Sequence, residues 1–424
     1  MTTPAAGAWQ APYRDAPLDA IVSVPGSKSV TNRALLLAAL ADAPSTVIRP
    51  LVARDTTLMI DALRALGCGL EGDGEALTLT PAPLRGPAQV DCGLAGTVMR
   101  FVPPVAALAV GRVRFAGDDV ARGRPMGEVL AALRSLGVDV EPSAVGLPFT
   151  LEGVGRVPGG EVTLDASASS QFVSALLLAG ARYDAGVDLR HVGKPLPSLP
   201  HVAMTVDMLR ERGVAVDDSE PDRWRVSPGS VEAVTVDIEP DLSSAAPFLA
   251  AALVCGGQVT VRGWPGETRQ PGDQLRWILG LFGAEVERAR EGLVVKGSGE
   301  IAGVDVDLHE VGELTPVLAA VAAAANGPSY LRGIAHLRGH ETDRLAALTT
   351  ELRALGSDVE ETADGLHIRP ARLHGGLFHA YDDHRLAQAA AVLGLVVAGV
   401  EVDDIATTGK TFPGFVDAWT AMLT

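Results

Sequence analysis

Five times along this chain a helix-like stretch ends in leucine, arginine or phenylalanine followed by glycine, at nearly constant spacing. The endings are Ala65-Leu66-Gly67, Ser135-Leu136-Gly137, Glu211-Arg212-Gly213, Leu281-Phe282-Gly283 and Ala354-Leu355-Gly356, and successive glycines lie 70 to 76 residues apart. Glycine carries no Cβ, so it suits the left-handed position that closes a helix. Four of the five are followed by a strand-like run: Val138-Asp139-Val140-Glu141, Val214-Ala215-Val216, Ala284-Glu285-Val286-Glu287 and Ser357-Asp358-Val359-Glu360. A sixth copy starts near Ala387, passes through residues 400–405 to a helix over 412–423, and stops before its last strands. The N-terminal strand over residues 18–24 is expected to complete it.

The pattern reads as six βαβαββ-like units of ~70 residues each. An ordinary α/β protein whose helices happen to end in glycine is the alternative, but spacing and flanking pattern agree together. A unit this small has little core of its own, so units must group to share one. Two groups of three give two domains, 25–239 and a discontinuous 1–24 plus 240–424. The chain is expected to cross between them near residues 24–26 and 238–241. The fold class expected is α/β, two domains of three repeats each.

Composition narrows the partners. The 424 residues are 47% hydrophobic and carry a formal charge of −17, which argues against nucleic acid or an anionic membrane as the main partner. Cys68, Cys92 and Cys255 form no CxxC pair, as suits a reducing compartment. The N-terminus lacks a basic start followed by an apolar core, and the apolar runs 317–325 and 389–400 fall short of the ~20 residues a membrane span needs. A cytoplasmic protein without a signal peptide is expected, its first fifteen or so residues disordered.

Against this acidic background, cationic residues gather at helix starts. In Val24-Pro25-Gly26-Ser27-Lys28-Ser29-Val30-Thr31-Asn32-Arg33 the Pro-Gly ends a strand, Ser27 is placed to cap a helix, and Ser29 and Arg33 share one face. Free N–H groups with Lys28, Ser29 and Arg33 make an anion site. It is not a nucleotide P-loop, since Ile21 stands where the first glycine of that motif belongs. The chain has only four lysines, and Lys28 and Lys410 both lie in such motifs. A second cluster, Ser167, Ser169, Ser170 and Gln171, sits before the apolar run 173–179, with more donors than a cap requires. Gly96 to Arg100, Arg122 to Pro125, His340 to Arg344, Asp382 to Arg385 and Gly409 to Pro413 add further basic residues near helix starts. Together they point to helix N-termini converging on a strongly anionic ligand.

VPGSKSVTNRALLLAAL, LAGTVMR, GRP, SASSQF, HETDRL, YDDHR and GKTFPGF, in that order, resemble the fingerprints of the 5-enolpyruvylshikimate-3-phosphate synthase family. The resemblance spans residues 24–415. It implies two domains of three βαβαββ units, of the inside-out α/β barrel type, with a site in the cleft between them that closes on its ligands, and transfer of the enolpyruvyl group of phosphoenolpyruvate to shikimate 3-phosphate, by a monomer, without cofactor or metal. Carried over position by position, Lys28, Ser29, Arg33, Ser169, Ser170, Gln171 and Ser198 are implied to hold shikimate 3-phosphate. Gly96, Arg124, Arg344, Arg385 and Lys410 are implied to hold phosphoenolpyruvate, with Lys28 and Gln171 shared. Glu313 stands where many members have an aspartate that accepts the proton of the attacking hydroxyl, and Glu341 where the family has a second proton-transfer carboxylate. Lys28 or Lys410 would stabilise the departing phosphate. Three positions depart from the pattern: Leu94 and His336 stand where asparagines are usual, and His340 where many members have a substrate-contacting lysine. A histidine there still donates to an anion, with a charge that depends on pH.

Two other readings differ in class or substrate. A transferase acting on UDP-N-acetylglucosamine resembles this one in repeat structure but carries a cysteine before the phosphoenolpyruvate-binding arginine, and residues 112–124 contain none. A metal-dependent hydrolase would use His336, His340, Glu341 and His384, yet Arg338, Arg344 and Arg385 crowd the same segments and repel a cation.

Overall fold

The computed structural model describes residues 7–141 and 143–424. The chain divides into two compact units, one of residues 26–238 and one of residues 1–25 together with 239–424. Among the described residues the strands form five four-stranded sheets and one three-stranded sheet. No helix among them is long and apolar enough to cross a membrane.

The repeat is visible as a β-α-β-α-β-β order. In one copy, strand Ala88–Asp91 leads to helix Gly96–Ala106, then strand Val110–Ala116, helix Gly127–Ser135 and the strands Asp139–Val140 and Phe149–Val154. The first strand pairs parallel with the second, and the last two form an antiparallel ladder on its far side. The other complete sheets repeat this order. All five helix-ending glycines adopt positive φ, from 75° at Gly213 to 106° at Gly67.

Helix composition sets the layering. Where a helix is apolar all round it must be buried all round. In the 26–238 unit, Lys28–Ala39, Gly96–Ala106 and Gln171–Gly180 pack on one another, and nearly every residue after their first turn is buried. In the other unit, Leu242–Cys255, Thr315–Ala323 and His384–Val396 do the same. Each unit thus has three core helices with amphipathic helices and sheets outside, and its own hydrophobic core.

The sixth sheet is completed differently from the expectation. Its extra strand is Trp9–Gln10, antiparallel to Val400–Val402, which itself pairs parallel with Gly376–Phe378. Leu18–Val22 instead pairs parallel with Gly257–Arg262, as first strand of the repeat whose helices are Leu242–Cys255 and Leu275–Leu281. Likewise Thr235–Asp237 pairs with Ser45–Ile48 and supplies the first strand of the opening repeat. The chain leaves one repeat after its first strand, builds the whole 26–238 unit, and returns to finish it. The segment expected to be disordered is tied down from Trp9 onward: Ala11 N–H donates to Val400 O and Arg14 N–H to Leu395 O. Residues 1–6 lie outside the described residues. The last helix is Phe415–Met422, shorter than the expected 412–423.

Gly257 joins the N-terminal strand to its sheet. It has φ +88°, and a Cβ there would lie 2.0 Å from Leu18 O. Gly280, by contrast, is exposed on helix Leu275–Leu281 with nothing near the space a Cβ would fill. Gly257→Ala is expected to lower unfolding free energy by about 2 kcal/mol or more, and Gly280→Ala to raise it by about 0.5–1 kcal/mol. Urea unfolding of both variants checks this; equal effects would contradict the strand docking described.

Candidate active site

In the 26–238 unit the N-terminal ends of the three core helices lie side by side. Asn32 donates to Thr97 Oγ1 across 2.7 Å, and Arg100 donates to Gln171 Oε1 across 2.8 Å. Lys28 opens the first helix, 3.2 Å from Oδ2 of buried Asp55. Ser27 takes the N-cap position but its side chain makes no capping bond; its carbonyl accepts from Thr31 N–H instead. Gly26 is required by a close approach, since a Cβ there would sit 2.5 Å from Arg49 O.

Gly96 opens the second helix. A Cβ on it would stand 3.0 Å from guanidinium nitrogens of both Arg100 and Arg124, so two cations line this helix start. Arg124 is buried, donates to Leu94 O across 3.0 Å, and its Nε has no hydrogen-bond partner. The third helix begins at Gln171 with Ser170 at its N-cap, and Gln171 N–H donates to Ser169 Oγ across 3.3 Å. Ser198 precedes helix Leu199–Arg210 in the left-handed region at φ 53°.

Arg33 is buried on the first core helix. Its guanidinium is turned into the core, donating to Thr205 Oγ1 at 2.7 Å, Ser29 O at 3.0 Å and His201 O at 3.0 Å, over the Phe101 ring. Burial lowers its pKa to about 9. Spacing placed Ser29 and Arg33 on one face, and they do meet, but through the Ser29 carbonyl.

In the other unit the chemistry centres on Arg344, which opens helix Arg344–Ala354 and is buried. Its Nε donates to Asp383 Oδ2 at 2.7 Å and one Nη to Asp383 Oδ1 at 3.1 Å; that Nη also reaches Glu341 Oε2 at 3.1 Å. Burial alone would pull this guanidinium down, but Asp383 and Glu341 outweigh it and hold it above its ordinary value. Lys410 Nζ lies 2.6 Å from Glu341 Oε1, so one carboxylate is held by two buried cations. Asp343 caps the helix, accepting from Ala346 N–H.

Arg385, at the start of helix His384–Val396, donates to Ser243 O across 2.7 Å. Burial lowers its pKa, partly countered by Asp241. Glu313 lies in a single turn, Gly312–Leu314, leading into the core helix Thr315–Ala323. The starts of the three core helices therefore carry Asp241, Glu313 and Arg385. His340 Nδ1 faces an Arg344 Nη at 3.2 Å, and a contact of this kind requires that nitrogen to accept. His336 lies edge-on to His309 and His340, with ring centres 5.8 Å away in each case. Among the described residues, no group of three or more His, Cys, Asp or Glu side chains is placed to hold a metal ion.

Two anion-ready sets thus exist, one in each unit: donors with paired arginines, and a buried lattice of two carboxylates and several cations. Comparison with known proteins assigns the family. The model of EPSP synthase (3-phosphoshikimate 1-carboxyvinyltransferase) matches residues 12–419. The chain belongs to this family. A 3-phosphoshikimate 1-carboxyvinyltransferase of Kocuria rhizophila is 56% identical over 98% of this chain and 96% of its own. In fold, the chain is similar to an EPSP synthase of Acinetobacter baumannii, with TM-score 0.79, 24% identity and 96% of each chain covered. It is also similar in fold to the enolpyruvyl transferase NikO of Streptomyces tendae, with TM-score 0.76, 20% identity, and 97% and 96% covered.

Three residues that hold the expected site residues escaped the sequence reading. Asp55 and Asp383 are the buried counter-charges of Lys28 and Arg344, and Arg100 orients Gln171. Asp383 and Arg100 stood inside quoted motifs, and the signal for them was charge balance around a cation bound for burial. Asp55 lies 27 residues from its partner, with no local signal.

The histidines make a pH statement. Burial, then the neighbouring His309, lowers the His336 pKa from 6.5 to about 4. Between pH 6.5 and 4 the unfolded chain binds a proton here that the folded one does not, so stability is lost as pH falls through that window. Urea midpoints at pH 7 and 4.5 are expected to fall further for the native protein than for His336→Asn; parallel losses would contradict this.

Proposed function

We propose that this protein transfers the enolpyruvyl group of phosphoenolpyruvate to the 5-hydroxyl of shikimate 3-phosphate, releasing phosphate by addition and elimination. The observation that carries the reading is the near-full-length identity to a curated enzyme of that name. Lys28, Ser29, Ser169, Ser170, Gln171 and Ser198 hold the phosphorylated acceptor. Gly96, Arg124, Arg344, Arg385, His340 and Lys410 receive phosphoenolpyruvate. Arg33 supports the first helix from within, so that Lys28 and Ser29 stay in place.

The electrophilic carbon is C2 of an enol phosphate, unreactive until its methylene carbon gains a proton. As phosphoenolpyruvate draws Lys410 and Arg344 away, Glu341 takes a proton from solvent and delivers it to that carbon, and C2 becomes cationic. The acceptor hydroxyl oxygen bonds to C2 as Glu313 takes its proton. A proton then returns from the new methyl group to Glu341, the C2–O bond to phosphate breaks, and the double bond re-forms. Lys410 and Lys28 neutralise the departing phosphate. The resting lattice explains how one carboxylate both gives and takes a proton. Lys410 and Arg344 both contact its oxygens, and an incoming anion competes for both, loosening their hold as substrate binds.

Action in the cytoplasm as a monomer belongs to the same proposal, in keeping with three free cysteines, two of them buried.

Phosphate release in EDTA, with phosphoenolpyruvate and either shikimate 3-phosphate or UDP-N-acetylglucosamine, tests the reading. Release is expected with shikimate 3-phosphate alone, and Glu341→Gln is expected to lower kcat by ~10²–10⁴-fold. Release with the sugar nucleotide alone would overturn the substrate, and release only without EDTA would restore a metal-dependent reaction.

A further inference from the structure

We propose that Glu351 and Tyr381 are positioning residues for the phosphoenolpyruvate-binding arginines: together they hold the turn from which Asp383 grips Arg344 and from which the Arg385 helix begins. The proposal rests on the roles given above to Arg344 and Arg385.

The turn is one the chain does not adopt for its own sake. Tyr381 and Asp382 have φ of 53° and 54°, two consecutive non-glycine residues in the left-handed region. Aspartate tolerates that conformation, but a bulky aromatic residue there is an outlier that persists only when its surroundings over-determine it. The turn is followed at once by Asp383, which both caps helix His384–Val396 through Arg385 N–H and binds Arg344 at two points. A turn relaxed to ordinary dihedrals re-aims Asp383, and with it both arginines.

Glu351 holds it. This carboxylate, only 2% exposed, accepts from Tyr381 Oη at 2.6 Å with Oε1 and from His379 N–H at 2.9 Å with Oε2. Burial, then the Glu351 hydrogen bond, pushes the Tyr381 phenol up to about 12, so it remains a donor at neutral pH. Glu351 and Arg344 lie on the same helix seven residues apart, about two turns, and so on one face. The helix therefore fastens the turn twice: Glu351 on the residues before and within it, Arg344 on the aspartate after it. Asp403 braces the same segment from the other side, accepting from Ala380 N–H at 2.8 Å and facing His379 Nδ1 at 2.9 Å. A carboxylate so placed, at full burial and remote in sequence from the turn, has no need of this geometry merely to fill space.

The test compares the native protein with Tyr381→Phe, which removes one hydroxyl and keeps the ring, and Glu351→Gln, which keeps the acceptor for the phenol and loses the one for His379. Two readouts are taken: KM for each substrate, and the Arg344 Nε–H resonance in the ligand-free protein. The expected result is a KM for phosphoenolpyruvate raised about tenfold, a KM for shikimate 3-phosphate within about twofold, and a shifted, faster-exchanging Arg344 Nε–H. Adding Asp382→Gly, which suits the left-handed backbone, is expected to recover part of the loss. Folded variants with the Arg344 resonance and both KM values unchanged would overturn the proposal, as would losses equal for both substrates. Should the native protein not turn over shikimate 3-phosphate, the functional reading fails while the Arg344 resonance still decides the positioning claim.

Discussion

A guanidinium as buried as that of Arg344 survives in a protein interior only if opposite charge meets it there. Leaving one partner of such a pair alone costs roughly 3–5 kcal/mol, far more than a surface pair contributes. Asp383 and Glu341 both meet it, and Lys410 then meets Glu341. This constraint organises the unit. Asp383 must come from a turn of unusual backbone, Glu351 must hold that turn, and the two helices that begin at Arg344 and His384 must start beside each other. In the lattice two cations, Arg344 and Lys410, face two carboxylates, Asp383 and Glu341.

The 26–238 unit solves a different problem. Its helix starts present serines, an amide and backbone N–H groups, with arginines packed against a glycine, so it offers fixed donors more than exchangeable protons. Recognition of a phosphorylated, hydroxylated ring asks for many directional donors, and proton transfer to carbon asks for a carboxylate whose partners can be drawn away. The two units share the βαβαββ order and differ in what their helix starts present. Fully apolar core helices make this possible: their bodies need only pack, and their first turns are left free to vary.

The repeat was legible because a helix-ending glycine needs positive φ, and Gly67, Gly137, Gly213, Gly283 and Gly356 all show it. The completing strand was misjudged because Leu18–Val22 and Trp9–Gln10 both precede the first helix, and composition does not say which sheet either edge will join. Lys410, Arg344 and Glu341 were legible as motif residues, and the structure brings them together. The surroundings of Arg33 were not legible, because nothing local to its helix announces Thr205, His201 and Phe101. Those contacts lie 68 to 172 residues away in sequence, beyond any local pattern.

The central claim is that Glu341 protonates carbon. Turnover in deuterium oxide, with the product's vinyl methylene read by NMR or mass spectrometry, tests it most directly. Protonation of the methylene followed by loss of a proton from the methyl group predicts deuterium in that position, and a rate of incorporation that falls with turnover in Glu341→Gln. Product formed without deuterium, or incorporation in the variant as fast as in the native protein, would contradict the account.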